Sequence, residues 1–182
     1  MKNSKRPQSA VLGSSGEHLV LSHLLKRGFI AGLAPENTKD YDIIVLNKDG
    51  TTSFPIQVKT TLDNKSGWIL QKKHENPITN LFFCFVNLSL ESDDAEIFIV
   101  DSKTVSEIIS NGHRIWLKLP NRTGGRHNDT DMRKISRIGV MREKYIEEHK
   151  NLLTKKDLSI VNKYKKDWIE KYRDAWHLID TN

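Results

Sequence analysis

Apolar and polar positions along the 182 residues alternate with two distinct periods. The block "SSGEHLVLSHLLKRG" has helical spacing, with Leu21 and Leu24 on one face together with Glu17. It predicts a first helix, capped by Ser14 with Glu17 three residues on as in a capping box, and stopped at Gly28. "FIAGLA" predicts a short strand. "DYDIIVLNKDGTTSFPIQVKTT" predicts two strands joined at "NKDG", whose Asp-Gly pair favours a tight hairpin. "GWILQK" predicts a fourth strand, and the apolar runs "LFFCFVNL" and "EIFIVD" two more, the first of them central. "SKTVSEIIS" predicts a short helix.

Beyond that point the period fades. Residues 119–139, "LPNRTGGRHNDTDMRKISRIG", are rich in Gly, Asn, Asp and Arg and predict a long loop. The last stretch is helical in pattern. Val161, Tyr164, Trp168, Tyr172, Ala175 and Ile179 recur at three- and four-residue steps, a stripe expected to pack into a core. Residues 1–12 read as a loose tail. The whole predicts an α/β fold with a central mixed sheet flanked by helices and a helical C-terminal region. A single domain over 1–182 is expected, with a core at 13–110 and a loop and helical extension at 111–182.

The strand "FPIQVKTT" sets Gln57 and Lys59 on one side and Ile56 and Val58 on the other. The polar pair is either a solvated face or half of an active site. Asp42 opens the neighbouring strand "DIIV", and the hairpin can bring it beside Gln57 and Lys59. Glu17, on the inward helix face, completes the group; facing inward and closing a capping box are compatible roles. Cleaving a phosphodiester requires stabilising charge on phosphorus and activating a water. Mg²⁺ (or Mn²⁺) suits that task and takes oxygen ligands in octahedral geometry. Asp42 can supply a carboxylate, Gln57 an amide oxygen, and Glu17 a ligand directly or through water. Lys59 can orient the water and balance developing charge.

The order helix Glu17, strand Asp42, then Gln57-Val58-Lys59 resembles the PD-(D/E)XK nuclease superfamily, with its restriction-endonuclease-like fold. The resemblance covers roughly residues 13–110. Two positions depart from the pattern. Tyr41 stands where a proline precedes the Asp, and Gln57 replaces the acid of the triplet, a variant that resembles the Mrr-type branch. The resemblance implies a metal-dependent DNA endonuclease of restriction or repair type, with Glu17, Asp42, Gln57 and Lys59 catalytic. It also implies a homodimer, because cutting two strands pairs two sites. The neutral Gln57 keeps open a nucleic-acid-binding protein with weak or no catalysis, and a subunit of a larger defence or repair assembly.

Composition narrows the setting. Apolar residues make up 37% and charged residues 29%, and no run approaches the ~18 apolar residues of a membrane span. The polar, basic start "MKNSKRPQSA" lacks the apolar stretch of a secretory signal. The one cysteine, Cys84, sits in an apolar run, so no internal disulfide forms and a cytoplasmic location is expected. His113, His127, His149 and His177 show no zinc-ligand spacing. The net charge is +6, divided as −1 over residues 1–101 and +7 over 102–182. Such asymmetry suggests a polyanionic partner, DNA. The cations expected to grip it are Arg122, Arg126, Arg133, Lys134 and Arg137 in the long loop, with Lys72 and Lys73 after the fourth strand. Gly124 and Gly125 would let that loop move.

Overall fold

A computed structural model describes residues 7–36, 38–47, 49–63 and 67–180. Half of the expected tail, residues 1–6, and Lys48 of the expected turn lie outside them. The chain forms two compact units, residues 1–66, 78–102 and 172–182, and residues 67–77 and 103–171.

The first unit opens with α1 (Ser9–Lys26). Leu12, Gly16, Val20 and Leu24 are its buried row, at four-residue steps. The helix ends in a Schellman motif. Gly28 at φ 85° donates its amide to the Leu25 carbonyl, and Phe29 donates to that of Leu24. The helix starts six residues earlier than expected, so Ser14 lies inside it and caps nothing. The capping box of Ser14 and Glu17 is therefore absent. Ser14 instead contacts His18 one turn on, and Gln8 is the residue before the first turn.

Strands β1 (Ile30–Leu33), β2 (Ile43–Leu46) and β3 (Ser53–Leu62) form an antiparallel meander. The β2–β3 turn is tied by Asn47, whose Oδ1 accepts from the amides of Thr51 (2.9 Å) and Thr52 (3.1 Å). Following β4 (Trp68–Gln71), β5 (Phe82–Leu88) adds parallel to β3 and β6 (Ala95–Asp101) antiparallel to β5. The result is a mixed five-stranded sheet in the order β1-β2-β3-β5-β6. Phe82 to Val86 are all buried, as a strand covered on both faces requires. On one face Ile43, Val45, Ile56, Val58, Cys84 and Ile97 pack with Val20 and Leu24 of α1 and with Trp176 and Ile179 of the C-terminal segment. Burial pushes the Cys84 thiol far up, so it behaves as an inert core residue.

The second unit contains most of α2 (Ser102–Lys118), then β7 (Met132–Ile135), α3 (Glu143–Glu148) and α4 (Lys155–Lys163). Two expectations change here. The fourth strand, β4, pairs antiparallel with β7 in a two-stranded sheet. The expected loop over 119–139 contains that strand. The short helix expected at "SKTVSEIIS" runs for 17 residues. Strand β7 was hidden because its inward positions are Arg133 and Ile135, so the period of two carries a charge where an apolar residue belongs. Arg133, only 3% exposed, is held by Glu75 (2.5 Å), Asp129 (3.3 Å) and the Thr130 carbonyl (2.5 Å). Ile115, Leu119, Ile146 and Leu153 form an apolar cluster. Tyr164 and Trp168 are buried as the stripe implied, although short helices and turns replace one long helix.

Candidate active site

The first unit brings the β2 and β3 candidates together. Asp42 donates its amide to the Ile56 carbonyl (2.8 Å), which sets its side chain beside Gln57 on the neighbouring strand. Gln57 Nε2 donates to Asp42 Oδ2, and the amide of Val58 donates to the same oxygen (2.7 Å). Both side chains thus lie on the sheet face opposite Ile56 and Val58. Gln57 is 6% exposed, so it belongs to no solvated surface. A buried amide needs a partner, and Asp42 supplies one. A half-turn of the terminal amide would present Oε1, an acceptor, in place of Nε2.

Lys59 follows two residues later on the same side of β3, half-buried. Glu17 reaches the group from α1. Burial pushes its carboxyl above the ordinary value, and the Asp42 charge adds to the rise. His18 and Lys59 pull the other way by less. One helical residue therefore senses both the carboxylate and the ammonium of the strand pair. The approach depends on Gly16, because a Cβ there would meet the Thr60 hydroxyl at 2.0 Å. Nothing in the hydrophobic pattern marked Gly16. The available signal was a glycine inside a helix, which costs stability unless a close contact requires it.

The donor set is hard oxygen throughout: two carboxylates and, with its amide turned, one glutamine. Two like charges close enough to raise Glu17 invite a cation between them, so these residues fit Mg²⁺. Among the described residues no group of three or more His, Cys, Asp or Glu side chains is arranged to hold an ion.

The cations expected on DNA all fall in the second unit and differ in state. Arg133 is buried and structural, as described, so the expectation that it faces phosphate is corrected. Arg137 pairs with Glu170, and Lys72 with Asp129 at 2.9 Å. Asp129 also meets His113 at 2.8 Å, and these bonds lower its carboxyl to about 2. Lys73, Arg122, Arg126 and Lys134 are exposed. The glycine turn is pinned rather than loose. Asn121 Oδ1 accepts from the amides of Thr123 and Gly125 (both 2.9 Å), and Asn121 Nδ2 donates to the Arg126 carbonyl (3.1 Å). The sequence reading missed a ring pair in the same unit, Trp116 stacked on His127 with centroids 3.8 Å apart.

No protein-family model matches the chain, and no curated protein sequence matches it. The structure is similar to that of I-Ssp6803I, a bacterial homing endonuclease, at 12% identity and a TM-score of 0.48, covering 97% of this chain and 94% of that one. It is also similar to Hjc, a Holliday junction resolvase of Archaeoglobus fulgidus, at 14% identity and a TM-score of 0.40, covering 77% of this chain and 94% of that one.

Proposed function

We propose that the protein is a metal-dependent nuclease that hydrolyses DNA phosphodiester bonds, an endonuclease of restriction or repair type. The observation that carries this reading is the contact of Asp42 with buried Gln57 across β2 and β3, with Glu17 and Lys59 in electrostatic reach. Asp42, Gln57 and Glu17 would hold the ion, which when bound supplies Lewis-acid stabilisation of charge on the phosphate. Asp42 is fixed for this by the Val58 amide, so its carboxylate needs no reorganisation. Lys59 orients the attacking water and balances the charge that builds as water adds across the P–O bond. Glu17, held above its ordinary pKa, accepts a cation or a proton readily.

DNA as the substrate is favoured by the charge of the second unit, +9 from nineteen Lys and Arg against ten Asp and Glu. Two such sites in a homodimer would cut both strands. No helix among the described residues is long and apolar enough to cross a membrane, and a single buried cysteine suits a reducing cytoplasm. The rival, binding without cleavage, is favoured by the neutral Gln57. Incubating plasmid with protein and Mg²⁺ or Mn²⁺ separates them. Nicking or linearisation that is lost on chelation and in Lys59→Ala supports the nuclease. Intact plasmid with both metals, while DNA is still bound, supports the rival.

A further inference from the structure

The second unit has a cleft of about 530 Å³ that the site described above does not use. Trp116, His127, Arg122, Lys134, Ile138 and Arg142 are among the residues that line it. We propose that this cleft binds an unpaired nucleotide, its base against the Trp116–His127 wall and its phosphate among Arg122, Lys134 and Arg142. The proposal deepens the DNA reading, on which it rests, by naming the substrate class: DNA with a single-stranded segment.

The volume lies within the range of roughly 300–1,000 Å³ usual for small-ligand sites. The wall is built for a flat ring. Trp116 and His127 lie 25° from parallel, and His113 stands 5.2 Å from Trp116 on the same helix. His113 is fixed by Asp129, and the turn that leads to His127 is pinned by Asn121. The shelf is therefore ordered before any ligand arrives, which lowers the entropy cost of binding. Ile138 is 45% exposed at the same cleft, an apolar surface that a base can cover.

Charge points the same way. Several other cations of this unit, Lys72, Arg114, Lys118, Arg133, Arg137 and Lys163, each have a carboxylate partner. No ion pair involving Arg122, Lys134 or Arg142 occurs among the described residues. The cleft's one carboxylate, Glu148, lies 3.9 Å from the ammonium of Lys144. A duplex keeps its base faces stacked on one another. Only an unpaired nucleotide offers both a free ring face and a phosphate to one cleft.

The test is binding in chelator, so that cleavage plays no part. A short labelled oligothymidylate and a labelled hairpin duplex are titrated with the protein and read by fluorescence anisotropy. His127→Ala and Trp116→Ala should each weaken the single strand about ten-fold, while duplex affinity changes less than about two-fold. Arg142→Ala should weaken the single strand and reduce its salt slope. His127 lies on a loop outside the apolar cluster, so its variant decides the matter should Trp116→Ala unfold. Competition by free dTMP as well as by oligothymidylate would mean that a lone nucleotide suffices. Competition by the oligonucleotide alone would mean that the nucleotide is taken within a strand. Unchanged single-strand affinity in His127→Ala and Arg142→Ala, or equal loss for duplex and single strand, overturns the proposal. Anisotropy in chelator reads binding and the plasmid assay with metal reads cleavage, so failure of the nuclease reading and failure of the cleft are read separately.

Discussion

Gly16 of α1 lies so close to Thr60 of β3 that a Cβ on Gly16 would fall 2.0 Å from Thr60 Oγ1 and 3.1 Å from its Cβ. The neighbours of these two residues are Glu17 and Lys59, so this close helix–strand approach also keeps the helical carboxylate within electrostatic reach of the strand lysine. The Thr60 hydroxyl is buried there without a hydrogen-bond partner among the described residues.

Gly16→Ala should therefore lower stability. Helix propensity alone favours alanine by about 1 kcal/mol. Overpacking against a stiff threonine costs about 1–3 kcal/mol and wins. Thermal unfolding should show a lower Tm, and cleavage should fall further than the loss of folded protein explains. Adding Thr60→Ala should recover part of both. A wild-type Tm for Gly16→Ala would mean that α1 can shift without cost.

Replacing Gln57 by Glu adds a carboxylate beside Asp42. Without metal, the added negative charge should lower stability and raise the pH at which the carboxylates ionise. With Mg²⁺ the same charge should tighten binding, by about ten-fold for roughly 1.4 kcal/mol of added attraction. Calorimetry of the two proteins checks this. Equal affinities would remove Gln57 from the ligand set.

Glu17 gives a pH signature of definite sign. Its folded pKa lies above the ordinary value of 4.5, so the unfolded chain loses this proton first. The group favours the folded state most below the ordinary value, and that advantage is lost as pH rises through the folded value. Glu17→Gln should therefore raise the metal-free Tm at pH 7 and leave it nearly unchanged near pH 3. The same variant should weaken metal binding and cleavage. A lower Tm at pH 7 would show that Glu17 has a structural role instead.

Asp157 behaves in the opposite way. Its carboxylate is fully buried, and burial alone would raise its pKa. Lys118 at 2.7 Å, the amide and hydroxyl of Thr154, and Arg114 at 2.5 Å together hold it well below the usual range. Its contribution is complete above the unfolded carboxylate value of about 4 and is lost as pH falls toward the folded value. Asp157→Asn should cost about 1–3 kcal/mol at pH 7, through lost charge-assisted bonds and a weakened cap on α4. Urea unfolding at pH 7 and pH 3 should show the gap between variant and parent closing at the lower pH.

Much of the first unit could be read from residue order alone. Asp42 and Gln57 meet because β2 and β3 are consecutive antiparallel strands, with Leu46 opposite Ser53, and a period of two then fixes which side each residue takes. Gly28 ends α1 because it alone adopts a positive φ there at no steric cost. These are local rules, acting within a few residues or across one turn. Contacts far apart in sequence decided the rest. Arg133 is a buried ion-pair centre rather than a phosphate contact because Glu75 and Asp129 reach it, 58 and 4 residues away. Arg133 lies on β7, whose partner β4 is about 60 residues earlier in the chain, opposite it at Leu70. The Trp116–His127 stack likewise joins a helix to a loop. Local periodicity reports which side a residue faces, whereas the partner that neutralises a buried charge, or the ring that meets another ring, depends on how distant segments pack.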